Sequence, residues 1–365
     1  MNMKIINIVG ARPNFIKIAP IMRMMQRSDV IEPILLHTGQ HYDIEMSKMF
    51  FQELNIPTPD ISLEVGSASH AKQVARIMER FDEVCDQQRP DGILVVGDVN
   101  STMACSLVAA KKGIKIIHVE AGIRSFDKKM PEEINRMVTD AITDLLLPPS
   151  KDAVENLLKE GHVEGKIHLV GNIMIDTLMD FQPQIMKSGI FGQLGIEERN
   201  YALVTLHRPS NVDNISDFKR ILLALAKIEE RLPIVFPVHP RTRKVLDDPE
   251  LQAITGKMPR LILCDPLGYF DFGRLVAGSR MVIADSGGIH EESTVYGIPC
   301  ITIRENTERP ITIWEGTNEL AGTDTGKIIN FANQILDGKW KTGKIPELWD
   351  GHTAERIIDC IENSL

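Results

Sequence analysis

Short β-branched runs alternate with amphipathic stretches from one end of the chain to the other, the pattern of an α/β protein built on parallel sheets. In the first half the spacing predicts strands at Lys4–Val9, Pro33–His37, Gly92–Gly97, Lys115–Val119, Leu145–Leu147 and Lys166–Val170. Helical periodicity fills the intervals at Ile16–Gln26, Ala71–Gln87, Thr102–Lys111 and Glu132–Thr143. The second half repeats the alternation. Its strands are expected at Tyr201–Thr205, Ile234–Val238, Leu261–Cys264, Met281–Ala284 and Cys300–Thr302, with helices at Ile215–Glu230, Leu267–Ala277, Ile289–Tyr296 and Gly326–Leu336. Between the halves, Gly171–Phe181 reads as a hinge, and Phe181–Arg199, with one proline and three glycines, as an irregular entry to the second half. A terminal helix is expected at Thr353–Ser364.

A chain of 365 residues exceeds what one core usually serves, so two domains are expected: residues 1–172 with a returning C-terminal helix at 352–365, and residues 173–351. No apolar run reaches the length of a membrane span. The N-terminal run Ile5–Val9 is only a strand's length and stops at Gly10, Arg12 and Pro13, so no signal peptide and a cytoplasmic location are expected. Five scattered cysteines form no CxxC pair and no zinc spacing, and read as reduced thiols. A net charge of -9 argues against nucleic acid as a partner. An anionic ligand then requires cations concentrated at one place.

Ligands of open parallel sheets bind beyond the carboxyl ends of the strands, and the unusual polar residues lie there. The first strand runs into Gly10-Ala11-Arg12-Pro13-Asn14-Phe15-Ile16-Lys17, where Arg12 and Lys17 adjoin a helix start that itself favours anions. Ser286-Gly287-Gly288-Ile289-His290-Glu291-Glu292 follows another strand. Asp285 or Ser286 is placed to cap that helix, two glycines let a diphosphate approach the backbone, and Glu292 stands a turn on, where ribose hydroxyls are often held. No GxGxxG and no Walker A sequence occurs, so neither an NAD fingerprint nor an NTPase is supported. Asp98 and Glu120 close successive strands; each alone reads equally as a cap or an ion-pair partner, while near one another they suit proton transfer. Met130-Pro131-Glu132-Glu133-Ile134-Asn135-Arg136 brings a third carboxylate, with Glu132 and Arg136 at i, i+4. His207 with Arg208 and His239 with Arg241 end consecutive strands of the second half, and Arg304 and Arg309 follow a later one. No set of side chains has a metal's spacing.

Taken in order, GARPNFIKIAP, TGQHYD, GDVNST, HVEAGIRS, PEEINR, GNIMID, HRPSN, PVHPR, DSGGIHEE and NTERP resemble the non-hydrolysing UDP-N-acetylglucosamine 2-epimerase family along nearly the whole chain. The resemblance implies the glycosyltransferase-B type of fold, two Rossmann-like domains whose parallel sheets face a central cleft. It implies an isomerase that acts without cofactor or metal on a UDP-sugar, supplies a precursor of surface polysaccharide, and assembles as a homodimer. The family reaction eliminates UDP in the anti sense to a 2-acetamidoglycal and returns it after a proton adds to the other face of C2. Carried onto this sequence, Asp98, Glu120, Glu132 and His207 form the acid–base set, and Arg12 and Lys17 lie near sugar and diphosphate. Arg136 orients the carboxylates; Ser286, Gly287 and Gly288 hold phosphate, Glu292 the ribose, and His239 and Arg309 the departing UDP.

The sequence departs from the family's common pattern at Ala11, Asn14, Asp43, Pro209-Ser210 and His290, which stand in place of GTRPE, a glutamine, HRRE or HREN, and the glutamine of the DSGG segment. These leave two alternatives beside the main reading: a 2-epimerase of a related sugar such as UDP-2,3-diacetamido-glucuronic acid, or a glycosyltransferase of the same fold. The missing glutamine, Asp43 here, also removes the basis for expecting activation by substrate.

Overall fold

Among the described residues, twelve strands form two all-parallel sheets with the same internal order. The computed structural model describes residues 2–39 and 58–364, without the side chains of Arg12 and Pro13. The first sheet contains β1 (Met3–Val9), β2 (Ile31–His37), β3 (Ile61–Ser62), β4 (Gly92–Val96), β5 (Lys115–Val119) and β6 (Leu145–Leu147), in the order β3-β2-β1-β4-β5-β6. The second contains β7 (Ala202–Thr205), β8 (Ile234–Pro237), β9 (Leu261–Cys264), β10 (Met281–Ala284), β11 (Cys300–Thr302) and β12 (Asn318–Leu320). Counted from its own first strand, it has the same 3-2-1-4-5-6 arrangement. This is the doubly wound order, and it puts a topological switch point between β1 and β4 and another between β7 and β10.

The central strands β4 and β10 are buried along their whole length, as continuous Val/Ile/Leu runs require when helices cover both faces of a sheet. Chain contacts define two compact units, Met1–Asp180 with Glu347–Leu365, and Phe181–Pro346. In the first, the terminal helix Thr353–Ser364 packs against the helix Arg12–Met25. Its start is capped by the buried carboxylate of Asp176, which accepts from the N–H groups of Thr353 at 3.0 Å and Ala354 at 2.7 Å.

Three expectations are corrected. Lys166–Val170 is not a strand: Glu164–Lys166 is a 3-10 turn, and only Ile167 forms a bridge, to Leu146. Its neighbour β6 is three residues long and runs into Pro148-Pro149, which have no N–H to continue a ladder. The expected hinge Gly171–Phe181 is mostly helix, Ile173–Met186, and the supposedly irregular stretch after it holds a further short helix, Ile190–Leu194. Pro183 misled there, because the helix Ile173–Met186 accommodates it in its interior. The edge strands β3 and β12, two and three residues long, carry too little pattern to be foreseen. The His41 and Asp43 region of the TGQHYD motif lies outside the described residues.

Candidate functional site

The switch point of the first unit gathers carboxylates. Register pairs Val96 with Val119, so the residues that follow, Gly97 and Glu120, leave the sheet side by side. Gly97 has φ +70°, so the turn takes glycine for its conformation, and a Cβ there would make only ordinary contacts, 3.4 Å from Glu120 Oε2 and 3.5 Å from Lys17 Nζ. Lys17 Nζ meets Glu120 Oε2 at 2.6 Å with both side chains nearly buried. Glu120 itself holds φ +70°, a left-handed conformation that a non-glycine residue adopts at a cost of about 1–3 kcal/mol. Asn14 ties the loop after β1 to β4: its Oδ1 accepts from Ala11 N at 3.1 Å and its Nδ2 donates to the Val96 carbonyl at 2.8 Å. The departure at position 14 thus has a local task, reaching back to close the helix start.

Asp98 is held on three sides. Arg136 donates to Asp98 Oδ2 from Nη2 at 2.5 Å and from Nε at 3.0 Å, and Asn135 Nδ2 donates to the Asp98 carbonyl at 2.8 Å. Arg136 Nη1 also meets Glu133 Oε2 at 2.9 Å, one residue past the Glu132 that i, i+4 spacing suggested. Glu133 accepts from Ser125 N at 2.9 Å and Phe126 N at 2.8 Å; burial alone would raise its carboxyl, but these donors and Arg136 hold it below the usual range. Glu132 remains half-buried and faces, with Asp98, a cavity of about 270 Å³ whose polar lining includes His70, Gln73, Asn100 and Asn135. Pro131 at the first helical position and two glutamates in the first turn fix that helix start. Asp98, Glu120, Glu132, Lys17 and Arg136 are therefore brought together, and Asp98 and Glu120 each have their own cation. Of the expected residues of this unit, only the side chain of Arg12 lies outside the described residues.

The switch point of the second unit pairs β7 and β10, with Thr205 opposite Ala284. Asp285, fully buried just beyond β10, accepts from His207 N at 3.1 Å, Arg208 N at 2.9 Å and Asn211 Nδ2 at 3.0 Å, and meets His207 Nδ1 at 3.0 Å. Burial would raise Asp285, but the His207 side chain and these donors keep it below the ordinary carboxylate range. Asp285 thus fixes the His207 loop instead of capping the next helix, and Ser286 occupies the cap position without a side-chain cap bond. The first N–H groups of the helix Gly287–Val295 are consequently left for another acceptor. His239 lies near His207, ring centroids 5.8 Å apart, and its Nδ1 accepts from Arg241 N at 3.2 Å.

The arginines expected around the ligand meet acids within this unit. Arg309 Nε meets Glu291 Oε1 at 2.5 Å, and Arg241 meets Asp213 at 3.4 Å. Glu308 lies between Arg304, at 2.5 Å, and Arg208, at 3.7 Å. Burial favours neutral Glu308, yet Arg304, Arg309 and Arg208 together hold its carboxyl far below the usual range. Its Oε1 is 3.0 Å from where a Cβ on Gly287 would stand. Glu292 is buried, and that burial, aided by the charge of Glu291, pushes its carboxyl up to about 8. His290 points inward, with Nε2 3.4 Å from the Ala284 carbonyl, and burial lowers it to about 4.

Sequence reasoning missed Glu133 and Glu308 and assigned Asp285 another task. The signal for Asp285 was available, since it is the first residue past a buried strand on the ligand side of a sheet. Among the described residues, no group of three or more His, Cys, Asp or Glu side chains is placed to hold a metal ion, and no helix is long and apolar enough to cross a membrane.

Residues 23–362 match the family model described as UDP-N-acetylglucosamine 2-epimerase. The chain is 43% identical over 363 residues to a "UDP-N-acetylglucosamine 2-epimerase homolog" of Methanococcus maripaludis, covering 99% of this chain and 100% of the relative. It is 39% identical over 362 residues to the UDP-N-acetylglucosamine 2-epimerase of Methanocaldococcus jannaschii, covering 98% of each. Among solved structures it is similar to the M. jannaschii UDP-GlcNAc 2-epimerase in complex with UDP-GlcNAc and UDP. The TM-score is 0.88 at 38% identity, over 99% of this chain and 100% of that one.

Proposed function

The chain belongs to the UDP-N-acetylglucosamine 2-epimerase family, and from that premise we propose that it interconverts UDP-N-acetylglucosamine and UDP-N-acetylmannosamine without hydrolysis. A base removes the C2 proton while the C1–O bond breaks; the electron pair forms a C1=C2 double bond and UDP leaves with the other pair. A proton then adds to C2 from the opposite face, and a UDP oxygen returns to C1. The reaction needs acid and base groups on both faces of one ring, each contributing roughly 10²–10⁴-fold. Asp98, Glu120 and Glu132, with His207 from the second unit, are that set. Lys17 and Arg136 orient two of the carboxylates, and Arg12 adjoins sugar and diphosphate. The uncapped start of the helix Gly287–Val295, with Ser286, Gly287 and Gly288, takes the diphosphate; Glu292 takes the ribose, and His239 and Arg309 the departing UDP.

The observation that carries this reading is the gathering of carboxylates beyond β4 and β5: Asp98 held by Arg136, Glu120 held by Lys17, and Glu132 lining the same cavity as Asp98. A transferase that moves the sugar to an acceptor has no use for three such groups. Incubation with UDP-N-acetylglucosamine in deuterated water, followed by proton NMR, tests it: deuterium is expected at C2 of both UDP-sugars. An unlabelled C2 after prolonged incubation overturns it. Asp98→Asn or Glu120→Gln should abolish exchange while UDP affinity stays within a few-fold. We further propose a homodimer, to be checked by light scattering. A cytoplasmic location, supplying surface polysaccharide precursors, is supported by five cysteines that form no disulfide.

A further inference from the structure

Behind the carboxylates of the first unit lies a buried charged network that the reaction itself does not use. His118, one residue before the carboxyl end of β5 and 0% exposed, meets Asp140 Oδ1 with Nδ1 at 2.6 Å and the Gly97 carbonyl with Nε2 at 2.9 Å. Asp140 is equally buried; its Oδ2 accepts from Gly122 N at 3.0 Å and from Arg124 Nη2 at 2.7 Å. Arg124 in turn forks onto Glu160 at 2.8 and 2.6 Å. A carbonyl only accepts, and Asp140, with Arg124 and Gly122 on its other oxygen, also accepts. Both nitrogens of His118 therefore donate.

Three segments converge on this pair. Gly97 precedes Asp98, Gly122 follows Glu120 by two residues, and Asp140 lies on the helix Pro131–Ile142 that bears Glu132 and Arg136. We infer that His118 and Asp140 form a clamp that sets the mutual positions of Asp98, Glu120 and Glu132, making His118 a positioning residue for the epimerisation. Charge-assisted bonds in a water-free interior are short and directional, so the clamp holds peptide planes where neutral packing would leave them free to rotate. A shift of even 1 Å at a reacting group costs on the order of 100-fold in rate.

The inference rests on the proposed epimerase reading, so wild-type C2 exchange is measured first; its absence overturns that reading and the clamp's role together, whereas the variants below test the clamp alone. With active wild-type enzyme, His118→Gln keeps a donor for Gly97 but turns a carbonyl oxygen toward Asp140. It is expected to lower kcat by about 100-fold with KM for the UDP-sugar and Kd for UDP within about three-fold, the split expected of a positioning residue. Combining His118→Gln with Asp140→Asn supplies an amide donor to the new oxygen and leaves an oxygen for Gly122. The double variant is expected to recover at least about ten-fold in kcat over His118→Gln alone. A kcat within about three-fold of wild type in the single variant, or no recovery in the double, overturns the clamp. Should the single variant fail to fold, the double decides alone, and a kcat more than about 100-fold below wild type in a folded double variant overturns it.

Discussion

Asp285 bonds to its surroundings on both carboxylate oxygens, and an amide in its place would set an NH₂ group against N–H donors. Asp285→Asn should therefore release the His207 ring and lower kcat by about 100-fold or more, the scale of one acid–base group, with UDP affinity little changed; initial rates and calorimetric titration with UDP check this. The same carboxylate makes stability depend on pH. Its folded pKa is depressed, so its contribution is present above the unfolded value and is lost as pH falls through the folded one. Glu292 behaves in the opposite sense. With its folded pKa raised to about 8, the native state keeps a proton that the unfolded chain releases, and stability falls between roughly pH 4.5 and 8. Glu292→Gln should remove that loss. Relative to wild type, the variant should gain more than about 1.4 kcal/mol, the equivalent of one pKa unit, on going from pH 5 to pH 8, as read from urea unfolding at the two values.

Elements here are fixed by the loops that close them. Gly122, at φ +79°, turns the chain after Glu120 so tightly that a Cβ would lie 2.3 Å from the Ala153 carbonyl and 2.8 Å from Leu157 Cγ. Gly122→Ala should cost about 2 kcal/mol or more, because both the backbone conformation and the contact with a helix carbonyl resist it; denaturant unfolding measures the loss. Buried apolar strand runs and long amphipathic helices were readable from sequence: the strands at Met281–Ala284 and Cys300–Thr302 and the helix near Ile215–Glu229 stand where the pattern set them. Elements defined by their partners were not. The segment at Ile167 has β-branched character, but whether it joins a sheet depends on a free edge, which Pro148 and Pro149 deny it. Short helices such as Pro240–Leu246 and Pro249–Thr255 announced themselves only through a proline at their first position.

At the scale of the whole molecule, two sheets of identical order supply two switch points, and under the proposed function the second offers the diphosphate its helix start. UDP alone should therefore stabilise the second unit, by about 2.7 kcal/mol at a concentration 100 times its Kd, seen as a rise in Tm.

Sequence by itself determined the α/β class, the strand ends and the identity of the polar residues beyond them, because hydrophobic periodicity and glycine-rich turns are local properties of the chain. Resemblance to the family, not periodicity, nominated Asp98, Glu120, Glu132 and His207 as an acid–base set. Tertiary structure alone decided which charges meet. Arg136 turns to Asp98, Asp285 serves His207, and His118 reaches Asp140. Such partners are 38, 78 or 22 residues apart in the chain, and only strand register and helix packing bring them within a hydrogen bond's length.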